Sequence, residues 1–255
     1  MRSLLTLLLL SILAAATPCR AQEIFSWWHR GLIDLDLRPG SWAEFQSTET
    51  AEGQQTKETL RCEVLAVTGA KEHWIELKFL NEAESYVLLV APLDSLRRGD
   101  LLDGLRRVFQ ILPAGAVKEQ DLQSVRANRL LKRHFQDLFE DPTVLRHALP
   151  DTLIQDETIP REEVRLEEVR EVKVKMGRSD MVYRNRAVAV AQLSPAVPIF
   201  GLLRSRVETE LAPAEPKRDS PPPLLTVDIL VCVDFGRKSS PRGVPSSVQK
   251  LLAAD

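Results

Sequence analysis

The sequence predicts an α+β fold: a curved antiparallel β-sheet, an open half-barrel, covered by a helical insertion. Three observations carry that expectation. Alternating apolar and polar residues recur over residues 40–90 and 163–235, with turn residues between the runs. A helical apolar period appears mid-chain over residues 121–139. The stretch LSPAVPIFGLLRSR (193–206) packs apolar residues beside Pro195, Pro198 and Gly201, a mixture that neither a central strand nor a helix accepts.

The chain opens with MRSLLTLLLLSILAAATPCRAQ, in which one cation, Arg2, precedes an apolar run and then small residues. That order is a secretory signal, with cleavage expected after Ala21 in preference to Ala16. Acylation at Cys19 is the rival reading; Pro18 stands where a lipoprotein signal carries a small residue. Loss of residues 1–21 removes Arg2 and Arg20 and no acid. The 34 basic side chains become 32 against 36 acidic ones, a net charge near −4. That balance argues against a nucleic-acid partner, and no later apolar run is long enough to span a bilayer as a helix. The expected location is periplasmic or secreted.

The remaining 234 of 255 residues divide in the reading as follows. Residues 22–38, with Trp27 and Trp28, form an N-terminal arm; residues 39–236 form one β-rich domain with a helical insertion at 94–150; residues 237–255 form a flexible tail. GSWAEFQSTE places Ala43 and Phe45 on one side and Trp42 and Glu44 on the other. Turns at 51–54 and 68–71 lead to TKETLRCEVLAV and HWIELKFL, the latter with Ile75, Leu77 and Phe79 inward. ESYVLLVAP completes a meander. LDSLRRGDLLDGLRRVFQIL (93–112) reads as an interrupted helix or as a helix followed by a strand. QDLQSVRANRLLKRHFQDLFEDP reads as a helix whose apolar stripe holds Leu131, Phe135, Leu138 and Phe139, widened by Val125. Its far side carries Arg126, Arg129 and Arg133, a wet face or a contact for anionic headgroups or an acidic partner. TVLRHALP reads as a short turn.

Beyond 157, EEVRLEEVREVKVKM and MVYRNRAVAVAQ form a hairpin, with alanines 187, 189 and 191 on one face. The final strand, TVDILVCVDFG, reads with Val227, Ile229, Val231, Val233 and Phe235 inward, which points Cys232 outward and away from inward Cys62. On that reading the two thiols do not pair.

Chemistry-bearing motifs are sparse. His29, His73, His134 and His147 share no motif, and no metalloprotease, nucleophile-elbow or phosphate-loop pattern occurs. His134, Asp137 and Asp141 lie about a turn apart and read as a solvated polar edge rather than a metal site. The expectation is a protein without catalytic, cofactor or metal residues; a hydrolase assembled from distant residues is the third reading.

GSWAEF, HWIEL, PAVPIFGLLRSR and VDILVCVDFG together resemble the motifs of a group of exported, mostly uncharacterised bacterial proteins. That group is similar in architecture to the periplasmic lipoprotein carrier and its outer-membrane receptor (LolA/LolB-like). The resemblance covers four short islands between Gly40 and Gly236. It implies an unclosed barrel with helices over a lipid-accepting cavity. On that architecture the lining expected from inward alternation is Phe45, Leu77, Phe79, Phe135, Leu138 and Phe200. The ligand would be a lipid acyl chain or another apolar group, and the partner a lipid, a lipoprotein or an envelope protein. A filled, ligandless envelope scaffold acting through its surface is the alternative.

Overall fold

The computed structural model describes residues 32, 35–51, 53–80, 84–92, 104–127, 139, 141–154, 157–176, 179–215, 222–238 and 240–253. Eleven strands form one antiparallel sheet. They are β1 (Ser41–Ala51), β2 (Gln54–Val67), β3 (His73–Phe79), β4 (Glu84–Val90), β5 (Leu105–Ile111), β6 (Val117–Glu119), β7 (Thr143–Ile154), β8 (Glu157–Met176), β9 (Ser179–Leu193), β10 (Leu202–Pro213) and β11 (Leu224–Arg237). Two short helices are described, α1 (Leu122–Ala127) and α2 (Ser246–Leu252). The order across the sheet is β6-β5-β4-β3-β2-β1-β11-β10-β9-β8-β7. Two hairpin-linked runs are therefore joined by one long-range pairing, β1 with β11. The sheet is open, with β6 and β7 as its edges. A twisted open sheet of this width curls.

The meander follows from local sequence. Gly53 supplies the left-handed residue of the β1–β2 turn at φ 77°, and Lys71 adopts φ 61° in the turn that the Thr68 and Glu72 amides close. Ala43 and Phe45 are fully buried, as alternation requires. They belong to one inner-face cluster running from Val108 on β5 through Phe45 and Leu230 to Leu166 on β8.

Segment 94–150 departs from the predicted helical insertion. Three strands, β5, β6 and β7, stand in it, and its described helix is the six-residue α1. β5 agrees with the reading of 93–112 that ends in a strand; alternation could not decide it because both faces are buried, with Leu105 and Val108 in the inner cluster and Phe109 in a second cluster on the outer face. A strand covered on both sides shows no alternation. β7 hid for the opposite reason: it is an edge strand exposed on both faces, carrying Pro150, so TVLRHALP is strand rather than turn.

A bulge corrects the reading of β11. Glu44 pairs with Asp234 but Phe45 pairs with Cys232, so Val233 is the extra residue and alternation inverts there. The buried set is Thr226, Asp228 and Leu230, whereas Val227, Ile229 and Val231 are only half-buried and Val233 is 51% exposed. Cys232 therefore shares the inner face with Cys62.

The C-terminal segment, read as a fraying tail, contains α2. Val248 is fully buried against Leu65, Trp74, Val87 and Phe109, on the face opposite the main core. A seven-residue helix is too short to persist alone, so packing holds it.

The phase of β11 sets an opposition between two of its positions. Val233→Asp is expected to change stability by less than about 1 kcal/mol. Leu230→Asp, three residues earlier, should cost at least about 3 kcal/mol by burying a carboxylate in the core. Urea unfolding of both variants checks this, and equal costs would contradict the inward phase of Thr226, Asp228 and Leu230.

Candidate functional site

The inner face brings four of the six predicted lining residues onto one continuous surface. Phe45 on β1 lies between Leu60 on β2 and Cys232 on β11. Leu77 pairs with Cys62 and Tyr86, and Phe79 pairs with Leu60 and meets Tyr86 edge-on at 6.1 Å. Phe200 reaches in from the β9–β10 loop and packs on Phe45, ring centroids 5.9 Å apart. Phe135 and Leu138 lie outside the described residues, as do Arg129, Arg133, His134 and Asp137. Arg126 lies in α1. Val125 and Phe139, near the two ends of the expected apolar stripe, are both buried in the inner cluster.

Small apolar and polar residues share the rows across β9, β10 and β11. Alanines 187, 189 and 191 pair with Glu168, Leu166 and Val164 on β8, forming a low apolar floor beside Val207. Buried polar groups stand in the same rows on neighbouring strands: Ser205 opposite Ala191, Asp228 opposite Val207 and Thr226 opposite Thr209, with Ser47 on β1 beyond Leu230. Asp228 sits opposite Glu49 on β1 and Val207 on β10.

The loop 194–201 answers why apolar residues share space with breakers. Val197, Ile199 and Phe200 are buried, and Pro198 needs no donor partner. Ile199 takes φ 72°, a strained value for a β-branched residue. It is held there by a two-way backbone bridge: the Asp36 amide donates to the Ile199 carbonyl at 3.0 Å, and the Ile199 amide to the Asp36 carbonyl at 3.2 Å. The Asp36 carboxylate accepts from Arg38 at 2.6 and 2.7 Å and also from Arg237. Arg38 first, with Arg237 beside it, holds that carboxyl below the usual range, against a partial desolvation that raises it. The arm, the plug loop and the end of β11 are thus tied at one corner.

The two thiols share the inner face but flank β1. Strands two apart lie roughly 9–10 Å from each other, beyond the Cα separation a disulfide spans. Both are free. The expected absence of a bridge therefore has a different cause from the predicted one. Burial pushes the Cys62 thiol far up and Cys232 up to about 12. Among the described residues, no group of three His, Cys, Asp or Glu could hold a metal ion. His73 is half-buried, and desolvation lowers its pKa. His147 contacts Glu163 at 3.0 Å in an exposed cross-strand pair. No helix of the described residues is long and apolar enough to cross a membrane.

Sequence reasoning missed the outer face. Trp74, Glu76 and Glu63 face away from the main core yet are buried. Glu63 and Glu76 stand directly opposite each other on β2 and β3. Lys238 meets Glu63 at 2.8 Å, and Arg242 meets Glu76. Beside them, Arg61 lies over the Trp42 ring at 4.1 Å, and a cleft of about 190 Å³ opens between Glu44, Lys78 and the two ion pairs. The available signal was Val248, Leu251 and Leu252 at helical spacing.

No protein-family model matches the chain, and no curated protein matches it. Among solved structures it is similar to an outer membrane lipoprotein-sorting protein domain from Vibrio parahaemolyticus. That pair shares 9% identity over 84% of this chain and 91% of the other, with a TM-score of 0.34. It is also similar to a DUF1329 family protein from Desulfovibrio piger, at 10% identity over 93% of this chain and 100% of the other, again with a TM-score of 0.34.

In the native protein at pH 8, a thiol reagent should label neither Cys62 nor Cys232 at an appreciable rate, and both should react in denaturant. The sign with pH follows from the raised folded values. Unfolded thiols ionise near pH 9 while the folded ones stay protonated, so stability is complete below pH 9 and falls above it. A Cys232→Ser variant should lose part of that alkaline fall in urea melts from pH 8 to 11.

Proposed function

We propose that the chain is an exported, non-enzymatic binding protein that holds an apolar ligand, such as a lipid acyl chain, against the inner face of its sheet. One observation supports this reading: the inner face is a continuous apolar surface through Phe45, Leu77 and Phe200 that continues over three small alanines, with the buried polar groups Ser205, Thr226 and Asp228 in the rows beside them. A lipid likewise combines an apolar chain with polar groups. Each methylene removed from water contributes about 0.8 kcal/mol, so a chain of ten supplies about 8 kcal/mol before ordering costs.

In this proposal Phe45, Leu77, Phe79 and Phe200 line the ligand from the sheet side, and Phe135 and Leu138 cover it from segment 121–139. Arg126, Arg129 and Arg133 meet the anionic headgroup or an acidic partner. The buried positions of Val125 and Phe139 support a cover that approaches this face from both its ends. The periplasm is the compartment in this reading, because residues 1–21 carry the export signal pattern.

A second reading has its own observation. Edge strand β7 leaves Val144, Leu145 and Leu153 exposed at 44%, 53% and 67%. An open, apolar edge suits a ligandless envelope scaffold that pairs with another protein.

Native mass spectrometry with lipid extraction, on protein purified from the cell envelope, separates the two. The ligand reading expects a co-purifying lipid that falls at least tenfold in Ala189→Trp, which fills the floor. Wild-type protein free of lipid, in a fold unchanged by circular dichroism, would favour the scaffold.

A further inference from the structure

The outer face keeps one cleft that the C-terminal segment leaves open. Its volume is about 190 Å³, and Glu44, Arg61, Lys78 and Leu80 line it beside the ion pairs Lys238–Glu63 and Arg242–Glu76. Both of those carboxylates are already paired, so an occupant meets the charges of Glu44, Arg61 and Lys78, and their balance is cationic. Arg61 on β2 and Lys78 on β3 stand directly opposite each other. Cross-strand Cβ atoms in that relation lie about 5 Å apart, and like charges there destabilise a bare sheet. Among the described residues Lys78 makes no ion pair. The Glu44 carboxylate stays 3.7 Å from the Arg61 guanidinium, beyond hydrogen-bonding reach, and so does not consume its donors.

Arg61 is held in place by its surroundings. Its guanidinium lies over the Trp42 ring at 4.1 Å, and its side chain is only 29% exposed. Trp42 rests in turn on Gly236, its partner on β11, where an added Cβ would lie 3.2 Å from the indole nitrogen. Three of the sequence motifs meet here: GSWAEF brings Trp42 and Glu44, HWIEL brings Glu76, and VDILVCVDFG brings Gly236. The apolar-ligand reading of the inner face uses none of these four residues.

We propose that this cleft binds a phosphate group, with Arg61 and Lys78 as its two cationic contacts. The planar fork of Arg61 takes two oxygens side by side, and the Lys78 ammonium meets a third from the neighbouring strand. A carboxylate has two oxygens, which the arginine fork alone satisfies. Glu44, on the wall of the cleft, accepts a hydrogen bond from the protonated oxygen of a phosphate monoester or from a hydroxyl beside it. Pockets for drug-sized molecules begin at about 300 Å³, so this smaller cleft suits a compact polar group. The phosphate belongs either to a soluble monoester or to a lipid headgroup. The site lies on the opposite side of the sheet from the inner-face ligand, and its failure would leave that reading untouched.

The test titrates the isotope-labelled full chain with glycerol 3-phosphate at constant ionic strength and follows the Trp42 indole N–H resonance, which lies beside Arg61. A saturable shift is expected. Lys78→Gln and Arg61→Gln should each weaken binding at least fivefold, while Lys118→Gln, on the β6 edge, should stay within twofold of wild type. Lys78 is exposed, so its variant keeps the test intact should Arg61→Gln disturb Trp42. Co-sedimentation with phosphatidylcholine vesicles containing phosphatidic acid separates the two sources. Vesicle binding that Lys78→Gln weakens assigns the phosphate to a lipid headgroup; a response to glycerol 3-phosphate without vesicle binding assigns it to a soluble ester. The proposal is overturned if neither probe binds, if acetate binds as tightly as glycerol 3-phosphate, or if Lys78→Gln binds like wild type.

Discussion

The pairing of β1 with β11 is the constraint on which the rest depends. Each half of the sheet is a local run of hairpins, and this ladder alone makes them one surface. Everything placed on the inner face takes its position from that register. Phe45 meets Cys232 and not Val233 because one residue is bulged out, and a slip of one would send Leu230 and Thr226 to the opposite face. The joint is reinforced at its end, where Asp36 gathers Arg38 and Arg237 and the plug loop bridges to Asp36. The chain thus spends backbone strain at Ile199 to close the corner at which its two halves meet.

A sheet this wide cannot be covered by one element, and the two faces solve the problem differently. The inner face uses sheet curl, the Phe200 plug and the residues around Val125 and Phe139. The outer face is covered only over β2 to β5, by a short helix with ionic fastenings. One cover belongs to the continuous core. The other rests on Val248, with Val244, Leu251 and Leu252 packed at its margin, and on two partly wet ion pairs.

Much of this was legible in the sequence, and the failures have definite causes. β1 to β3 could be read because their outer face carries polar side chains, even where it is later covered, so Ala43, Phe45, Ile75 and Leu77 alternate with Glu44, Gln46, Glu76 and Lys78. β5 was legible only as one of two readings of 93–112, and β7 not at all, since burial on both faces or on neither erases the period. In β11 the period is present but shifts phase at Val233, and a bulge leaves no mark in a run as uniformly apolar as ILVCV. Four of the six proposed lining residues fall on one surface because strand alternation is a local property. The outer-face groove is not local: Glu63, Glu76, Lys238 and Arg242 come together only through tertiary packing, and each reads in sequence as an ordinary surface charge.

The register at the joint is open to direct measurement. Interstrand nuclear Overhauser effects in an isotope-labelled sample report which residues of β1 and β11 lie opposite each other. The account predicts contacts of Phe45 with Cys232 and of Thr48 with Ile229, with Val233 lacking a partner of its own on β1. Contacts of Phe45 with Val233, or the absence of any contact between the two strands, would contradict it.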